Sequence, residues 1–290
     1  MNAKRSVTTA VIPVAGMGTR FLPATKVLPK ELLPIIDKPI IHHIVQEAVN
    51  GGIKNIVFVT SRPKVLIEDY FDSGDYASLK LKTAGKEKLI SEALELSEKI
   101  NIISVRQYEP RGLGHAILQA EPIIGRQNFA VLLGDDIVVS DRSSSAMGEC
   151  LRLFESKPRG SAVGVLEVAP EETSSYGIVG LRGESEVETF VEKPTPAEAP
   201  SRWALPGRYV FEPEIFDALR ETKPGKNGEI QLTDGMLKLL QSSPFFAHKL
   251  SGERFDTGSK LGYIIANVAF ALQNPEIGPQ LQEWLTQRLR

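Results

Sequence analysis

The stretch that decides the fold is "VIPVAGMGTRFLPATKVLPKELLP", from Val11 to Pro34. It continues the short run of residues 8–15, which is rich in β-branched side chains and predicts a strand buried on both faces. A turn containing Gly16 and Gly18 follows immediately. A buried strand that enters a glycine-rich turn is typical of nucleotide-binding α/β proteins.

This turn matches neither of the two best-known nucleotide fingerprints. The dinucleotide pattern G-x-G-x-x-G requires a glycine where the chain has Phe21, and residues 60–62 offer no acid for a ribose. The P-loop pattern G-x-x-x-x-G-K-[ST] does not occur. Arg20 and Lys30 nevertheless bring positive charge to a loop that three prolines stiffen. Because glycines let backbone N–H groups approach an anion, we expect the loop to bind a polyphosphate, whereas a merely solvated basic loop would not need this combination.

The sequence beyond the loop alternates helical and strand patterns. Apolar residues recur at helical spacing over residues 40–49, and residues 54–60 form a second buried-strand pattern, which together predict a βαβ unit. From about Arg159 the strands alternate as in a mixed sheet with hairpin-like returns. The other patterns, in chain order, predict a surface helix at 81–100, a strand at 101–107, a helix at 114–124, a strand at 128–136 and terminal helices at 260–272 and 280–289.

These patterns predict one domain over residues 1–290. Its expected fold class is α/β, with a Rossmann-like arrangement in which a mixed, mostly parallel central sheet is flanked by helices. A small helical tail is expected at the C-terminus. We find no repeat, low-complexity tract or long linker that would divide the chain.

Composition narrows the class of protein. The chain has 290 residues, 42% of them hydrophobic, and a formal net charge of -2, so no excess of either sign favours nucleic acid or a membrane surface as partner. Cys150 is the single cysteine, which excludes an intrachain disulfide and favours a reducing, cytoplasmic location. No apolar run approaches the roughly 20 residues of a membrane span.

The opening loop also resembles a known family. "AGMGTRFLPATKVLPKELLP" is similar to the G-x-G-T-R…P-K signature of the sugar-1-phosphate nucleotidylyltransferases. The charged segment around Lys80 to Lys99 resembles the uridylyltransferase members, since the thymidylyltransferase members are shorter there. Further segments similar to this family occur in the family's order over nearly the whole chain: "GLGHAIL", "LLGDDIV", "YGIV", "FVEKP", "GRYVFEPEIFDAL", "GEIQLTDG" and "DTGSKLGYIIANVAFAL".

The resemblance implies an activity and its partners. The expected reaction is Mg²⁺-assisted, in-line transfer of a uridylyl group from UTP to α-D-glucose 1-phosphate, giving UDP-glucose and pyrophosphate. Residues 1–140 would form the nucleotide-binding half, 141–259 the sugar-binding half and 260–290 the C-terminal helices, a candidate contact in a homodimer or homotetramer. Two alternatives stay open: use of dTTP or another sugar phosphate, and a non-catalytic nucleotide-sugar-binding regulatory subunit, which should have lost the charged residues of the site.

The resemblance also assigns the nucleotide residues. Gln107 should read the imide edge of uracil, because an amide both donates and accepts hydrogen bonds; without the resemblance it would be interpreted as an exposed strand end. Arg20 and Lys30 should grip the triphosphate and act catalytically together with Lys193. The full set expected around the nucleotide is Ala15, Gly16, Gly18, Thr19, Gln107, Gly112 and Asp135.

The metal and sugar residues follow from the same resemblance. Asp135 and Asp256 should ligate Mg²⁺, which prefers oxygen donors, although the adjacent Asp136 is an alternative to Asp135. Glu192 and Lys193 should both reach the sugar phosphate, which requires a bend because neighbours on a strand face opposite sides. We expect that bend at Pro194. The sugar set is Tyr176, Gly177, Glu192 and Lys193.

The histidines and the last helix give weaker indications of function. None of His42, His43, His115 and His248 has a spacing that predicts a metal site. Apolar residues on the last helix are expected either to form an interface or to dock on their own domain: Leu281, Trp284, Leu285 and Leu289.

Overall fold

The structure is a computed structural model that describes residues 5–288 apart from residues 73–79, 82, 87, 89, 142 and 226–227. The strands are β1 Thr9–Pro13, β2 Pro34–Ile35, β3 Lys38–Pro39, β4 Asn55–Thr60, β5 Asn101–Arg106, β6 Phe129–Leu132, β7 Asp136–Val139, β8 Ser161–Glu167, β9 Gly177–Arg182, β10 Glu186–Glu192, β11 Trp203–Ala204, β12 Arg208–Phe211, β13 Phe245–Lys249 and β14 Glu253–Asp256. The α-helices are α1 Ile40–Asn50, α2 Val65–Tyr70, α3 Ser91–Glu98, α4 Leu113–Gln119, α5 Glu121–Ile124, α6 Ala146–Ser156, α7 Glu214–Arg220, α8 Leu232–Leu240, α9 Lys260–Gln273 and α10 Gly278–Arg288.

The main sheet is mixed, as predicted. Over the described residues it has ten strands in the order β11-β9-β10-β13-β8-β12-β6-β1-β4-β5. The first half of the chain is parallel, since β1 pairs in parallel with β4 and β6, and β4 with β5. In the second half, β8 and β13 are parallel, but β9, β10, β11 and β12 pair antiparallel with their neighbours. The expected "mostly parallel" sheet therefore holds for the first half alone, because short returns such as that between β9 and β10 can join only antiparallel strands.

Both faces of the sheet are covered. Along β1, Ala10 and Ile12 belong to one hydrophobic cluster, which includes α1 and α6, while Val11 belongs to the other, which includes α4, α7 and α8. Successive side chains of a strand point to opposite faces, so both faces of β1 lie in the core. This confirms the doubly covered strand predicted from the opening stretch.

A buried ion pair ties the two halves together under the site. Arg208 on β12 is fully buried, and its Nε and Nη2 donate to the two oxygens of Glu47 on α1 at 2.8 and 2.6 Å. Its Nη2 also donates to the backbone oxygen of Asp136 at 2.7 Å. The first residue of β7, which pairs with β14 in a small separate sheet, is thereby held by a side chain of β12 in the main sheet.

The two C-terminal helices form where they were predicted. α9 buries Ala266 and Ala271, but its large apolar side chains Ile264 and Ile265 are 56% and 46% exposed. On α10, Trp284 is 50% exposed, Leu281 and Leu285 are half-buried, and Leu289 lies outside the described residues. Of the surface helix predicted at 81–100, α3 is observed, and residues 82, 87 and 89 fall outside the described part. Among the described residues, no helix combines the length and apolar character needed to cross a membrane.

Candidate active site

Two cavities open side by side at the carboxyl ends of β1 and β6. The small cavity, of about 410 Å³, is bordered by the opening loop and the start of α4. The large cavity, of about 700 Å³, is bordered by strands and loops of the second half. Asp135 and Gly112 line both cavities, so the two cavities adjoin at these residues.

The opening loop is a series of three short 3-10 turns, Thr19–Phe21, Ala24–Lys26 and Lys30–Leu32. Gly18 has a φ of 63°, and a Cβ there would lie 3.2 Å from side-chain atoms of both Lys30 and Thr25. Thr25 Oγ1 donates to the Gly18 oxygen at 2.7 Å. Gly18 therefore lets the loop fold back on itself and present Lys30, although Gly18 lines neither cavity.

Lys30 forms an ion pair at the junction of the cavities. Its Nζ lies 2.5 Å from Asp135 Oδ2. Burial opposes the charge on Lys30, but the carboxylates of Asp135 and Glu31 outweigh it and raise the lysine pKa. Burial likewise opposes the charge on Asp135, yet Lys30 and Arg254 lower its pKa below the usual value. Both groups are therefore charged at neutral pH.

Asp136 has a different environment from its neighbour. Burial raises the pKa of Asp136 to about 7, against the attraction of Arg254. Its carboxylate pairs with Arg254 of β14, whose guanidinium lies 4.5 Å from the centroid of the Tyr176 ring. The Asp136 carboxylate thus forms an ion pair with Arg254 of the neighbouring strand β14. The Asp135 carboxylate pairs instead with Lys30, which lies on the loop that borders the small cavity.

The end of β14 and the turn that follows it bring Asp256 close to Asp135, since Asp256 pairs with Asp136, the first residue of β7. Thr257 donates to the backbone oxygen of Asp135 through both its N–H, at 2.9 Å, and its Oγ1, at 2.7 Å. A Cβ on Gly258 would lie 2.7 Å from Asp135 Oδ2 and 3.1 Å from Asp256 Oδ1, so the two carboxylates face a common space that only glycine leaves free. Arg20 Nη1 donates to the Gly258 oxygen at 3.2 Å, which joins the opening loop to this turn.

The small cavity contains most of the predicted nucleotide residues. Gln107, 9% exposed, follows β5 and donates from Nε2 to the Gly112 oxygen at 3.2 Å. Gly112 has a φ of 99°, and a Cβ there would lie 2.7 Å from the Ile230 oxygen, so this tight approach requires glycine. The predicted residues that line the small cavity are Ala15, Gly16, Thr19, Lys30, Gln107, Gly112 and Asp135.

The large cavity contains the predicted sugar residues. Glu192 Oε2 accepts a hydrogen bond from Thr233 Oγ1 at 2.6 Å. Lys193 has a φ of 48°, and its Nζ lies 3.7 Å from Glu192 Oε1, so the bend that brings both side chains to one side lies at Lys193 and not at Pro194. The predicted residues that line the large cavity are Arg20, Gly112, Asp135, Tyr176, Gly177, Glu192, Lys193 and Asp256.

Four residues of the site were not predicted. Arg254 precedes Asp256 by two positions on β14, so strand alternation alone could have placed it on the same face. Thr233 and Thr257 act through hydrogen bonds to residues more than 40 positions away, for which the sequence has no local signal. Glu229 lines both cavities from a loop that packs on Gly112.

A glycine-rich loop, paired carboxylates and four cations lie together at one edge of the sheet. This combination defines a nucleotide-binding transferase of phosphate-containing groups. Comparison with known proteins gives the family. The nucleotidyl transferase family model matches residues 9–272, and the chain belongs to this family.

Known relatives match almost end to end. The UTP–glucose-1-phosphate uridylyltransferase of Bacillus subtilis is 46% identical over 281 residues, which cover 96% of this chain and 95% of the relative. A UDP-glucose pyrophosphorylase solved in complex with UDP-glucose is 41% identical, has a TM-score of 0.86, and covers 93% of this chain and 100% of its own. A UTP-bound enzyme of the same kind from Acinetobacter baumannii is 37% identical, has a TM-score of 0.88, and covers 97% of this chain and 99% of its own.

Proposed function

We propose that this protein transfers a uridylyl group from UTP to α-D-glucose 1-phosphate and releases pyrophosphate. The observation that carries the proposal is the pair of adjoining cavities that share Asp135, in a chain that aligns nearly end to end with uridylyltransferases. The small cavity takes uracil, ribose and the triphosphate. The large cavity takes the sugar phosphate, so that its phosphate approaches the α-phosphorus at the junction.

The nucleotide is held mainly by the opening loop. Ala15 and Gly16 offer backbone groups to uracil, Gln107 meets its imide edge, and Gly112 lets the backbone lie against the ring. Thr19 and Lys30 face the phosphates from the same wall of the small cavity. Lys30 exchanges part of its contact with Asp135 for phosphate oxygens, since both partners are charged and lie at the junction.

The chemistry needs charge compensation more than proton transfer. The second pKa of a phosphate monoester is about 6, so the attacking oxygen of glucose 1-phosphate is already ionised near neutral pH. Two polyanions must then approach in line while charge grows on the leaving pyrophosphate. Arg20, Lys30 and Lys193 border the path of that reaction and supply fixed positive charge.

The donor set fits a magnesium ion. Asp135 and Asp256 face a common space beside Gly258. Among the described residues there is no group of three or more His, Cys, Asp or Glu that could hold a metal ion, so substrate oxygens and water would have to complete its coordination. Mg²⁺ in phosphate-transfer sites commonly takes one or two carboxylates together with substrate oxygens and water. We assign Asp135 and not Asp136 to this role, because Asp135 shares the space beside Gly258 with Asp256, whereas the carboxylate of Asp136 faces Arg254. When bound there, the ion would neutralise charge on the phosphates.

The sugar is selected in the large cavity. Glu192, oriented by Thr233, accepts hydrogen bonds from glucose hydroxyls, and Gly177 leaves space beside the ring. A Cβ on Gly177 would lie 3.1 Å from Leu205 Cδ1 and 3.2 Å from Oγ1 of Thr233, the hydroxyl that orients Glu192. Tyr176 closes the wall, supported by its contact with Arg254.

The two proposed halves of the chain bind the two substrates, although each half also contributes a residue to the cavity of the other. Residues 1–140 form the nucleotide half and 141–259 the sugar half, but Arg20 of the first half lines the large cavity and Glu229 of the second lines the small one. The C-terminal helices, residues 260–290, are the proposed contact of a homo-oligomer, since both carry large exposed apolar side chains, Ile264 and Ile265 on α9 and Trp284 on α10. A cytoplasmic location stays a prediction.

The test is pyrophosphate release from a panel of nucleoside triphosphates with glucose 1-phosphate and Mg²⁺. Release with UTP that requires both the sugar phosphate and the metal supports the proposal. A preference for dTTP would assign the neighbouring thymidylyltransferase activity to the same site. Absence of release with every nucleotide, with UDP-glucose still bound, would favour a regulatory subunit.

A further inference from the structure

The amide of Gln107 is fixed in one orientation. Its Nε2 lies 3.2 Å from the Gly112 oxygen, and a carbonyl oxygen can only accept, so the amide nitrogen and not its oxygen must face Gly112. The same Nε2 lies 2.9 Å from Nδ1 of His115, a residue of α4 behind the small cavity. Both amide hydrogens therefore have partners within the protein, and only Gln107 Oε1 is left for a ligand.

This orientation requires one protonation state of His115. Nδ1 must be unprotonated to accept the second hydrogen of Gln107, which is the neutral ring with its proton on Nε2. The Gln107 contact, at 2.9 Å, decides this tautomer against the longer contact of 3.3 Å between Gln119 Nε2 and His115 Nε2, and the Gln119 amide donates instead to the His115 backbone oxygen at 3.2 Å. Burial and the positive charge of Arg111 lower the pKa of His115 and so favour the neutral ring. His115 does not line the small cavity itself, so it acts on a ligand through Gln107.

An amide that offers only its oxygen distinguishes the pyrimidines. Uracil and thymine present an N3–H donor at the centre of the edge, which Gln107 Oε1 can accept. Cytosine presents an unprotonated N3 at the same place, and two acceptors facing each other repel. If the amide turned over, its NH₂ group would suit cytosine and reject uracil.

We propose that His115 is a positioning residue that makes the site selective for uracil over cytosine by holding the Gln107 amide with its oxygen toward the base. The inference rests on the proposed function, because it takes the small cavity as the base subsite. It adds a residue that touches neither the base nor the phosphates.

The experiment compares UTP, dTTP and CTP in the wild type, His115→Phe and His115→Asn. Phe keeps a flat ring but has no acceptor, whereas the Asn side-chain oxygen, attached to Cγ as Nδ1 is, can replace that acceptor. The quantities are kcat/KM for each nucleotide with glucose 1-phosphate, and the Kd of each nucleotide by competition with UDP-glucose. A melting curve for each variant checks the fold, and His115→Ala replaces the Phe variant if that variant does not fold.

The expected result is a roughly tenfold fall in the UTP-to-CTP ratio in His115→Phe, since one anchoring hydrogen bond is lost. His115→Asn should retain the wild-type ratio, and the UTP-to-dTTP ratio should not change in any variant, because thymine has the same edge as uracil. An unchanged UTP-to-CTP ratio in both His115→Phe and His115→Ala would overturn the inference. An equal fall in kcat/KM for UTP, dTTP and CTP would also overturn it, because that result would indicate a general distortion of the site. A wild type without UTP turnover would instead contradict the proposed function, and the Kd ratios would still test His115.

Discussion

At the residue scale, Lys193 shows how the backbone lets two adjacent side chains reach one ligand. Neighbours on a regular strand face opposite sides, but the left-handed φ of 48° at Lys193 turns the chain where β10 ends. Lys193 N–H donates to the Tyr176 oxygen at 3.0 Å and holds the bend against β9. The left-handed backbone conformation of Lys193 costs energy in a residue other than glycine, and this strain is what places the Lys193 side chain in the site.

Lys193 offers a prediction with an internal control. Lys193→Ala and Lys193→Gly both remove the ammonium, and each should lower kcat/KM for glucose 1-phosphate by about 100-fold, the usual cost of losing one preorganised charge. Glycine adopts φ of 48° without strain, so Lys193→Gly should melt at the higher temperature of the two. Steady-state kinetics and thermal melting measure the two effects separately. Near-wild-type turnover in the folded glycine variant would exclude Lys193 from catalysis.

His43 predicts an acid sensitivity of the fold. Burial, with the charges of His42 and Lys38, lowers the pKa of His43 to about 4, and Nε2 has no hydrogen-bond partner among the described residues. The unfolded chain binds the proton below pH of about 6.5, before the folded protein does, so folding stability falls as pH decreases from there toward 4. The loss amounts to at most about 3 kcal/mol.

The variant His43→Phe tests this linkage. Phe preserves the aromatic contact with Phe270, whose ring centroid is 5.0 Å from that of His43. Between pH 7.5 and 4.5 the wild type should lose more unfolding free energy, measured with urea, than the variant does. Parallel pH curves for the two proteins would show that His43 does not titrate in this range.

At the element scale, the site depends on contacts between elements far apart in the chain. β12 lies between β8 and β6, and from there Arg208 reaches α1 through Glu47 and the start of β7 through the Asp136 oxygen. Periodicity predicted α1, because burial of one face leaves a local pattern. It could not predict the Arg208–Glu47 pair, since two charged residues in a sequence do not reveal which strands will be adjacent.

Removal of one partner of the buried Arg208–Glu47 ion pair should lower the free energy of unfolding. Arg208→Met would leave Glu47 charged and buried without its partner, and we expect a loss of about 3–5 kcal/mol in unfolding free energy. The double variant with Glu47→Gln removes that charge and keeps an oxygen to accept from Met147 N–H, so it should be more stable than the single variant. Denaturant unfolding of the wild type and both variants measures the difference. A double variant less stable than the single one would contradict the buried-charge explanation.

At the scale of the whole molecule, the C-terminal helices cover part of the first half and leave apolar surface outside. Tyr263 Oη donates to the Pro34 oxygen at 2.7 Å and ties α9 to the opening stretch. The sequence correctly predicted the helix α9, but a helical pattern does not tell whether the apolar residues of that helix meet the same chain or another. In the structure, Leu261 is 71% exposed and Ile264 56%.

The oligomeric state of variants tests whether the exposed apolar surface of α9 is an interface between copies of the chain. Ile264→Glu should shift the mass found by light scattering from an oligomer toward the monomer, because a charge cannot be buried unpaired in an interface. Gln273→Glu, an exposed position on the same helix, is the matched control and should leave the mass unchanged. A monomeric wild type would refute the proposed homo-oligomer, and an oligomeric Ile264→Glu variant would move the interface elsewhere.

By itself, the sequence determined the features that burial and backbone chemistry impose locally. It specified the doubly buried β1, the glycine turn that presents Lys30, the βαβ unit and the acids that follow β6, because strand alternation, helical spacing and glycine conformations extend over only a few residues. Only the tertiary structure decided which charges meet. Lys30 and Asp135 are 105 residues apart, Arg208 and Glu47 are 161 apart, and their pairing depends on strand order in the finished sheet. The same holds for the antiparallel second half and for Arg254, whose partner Asp136 lies on another strand.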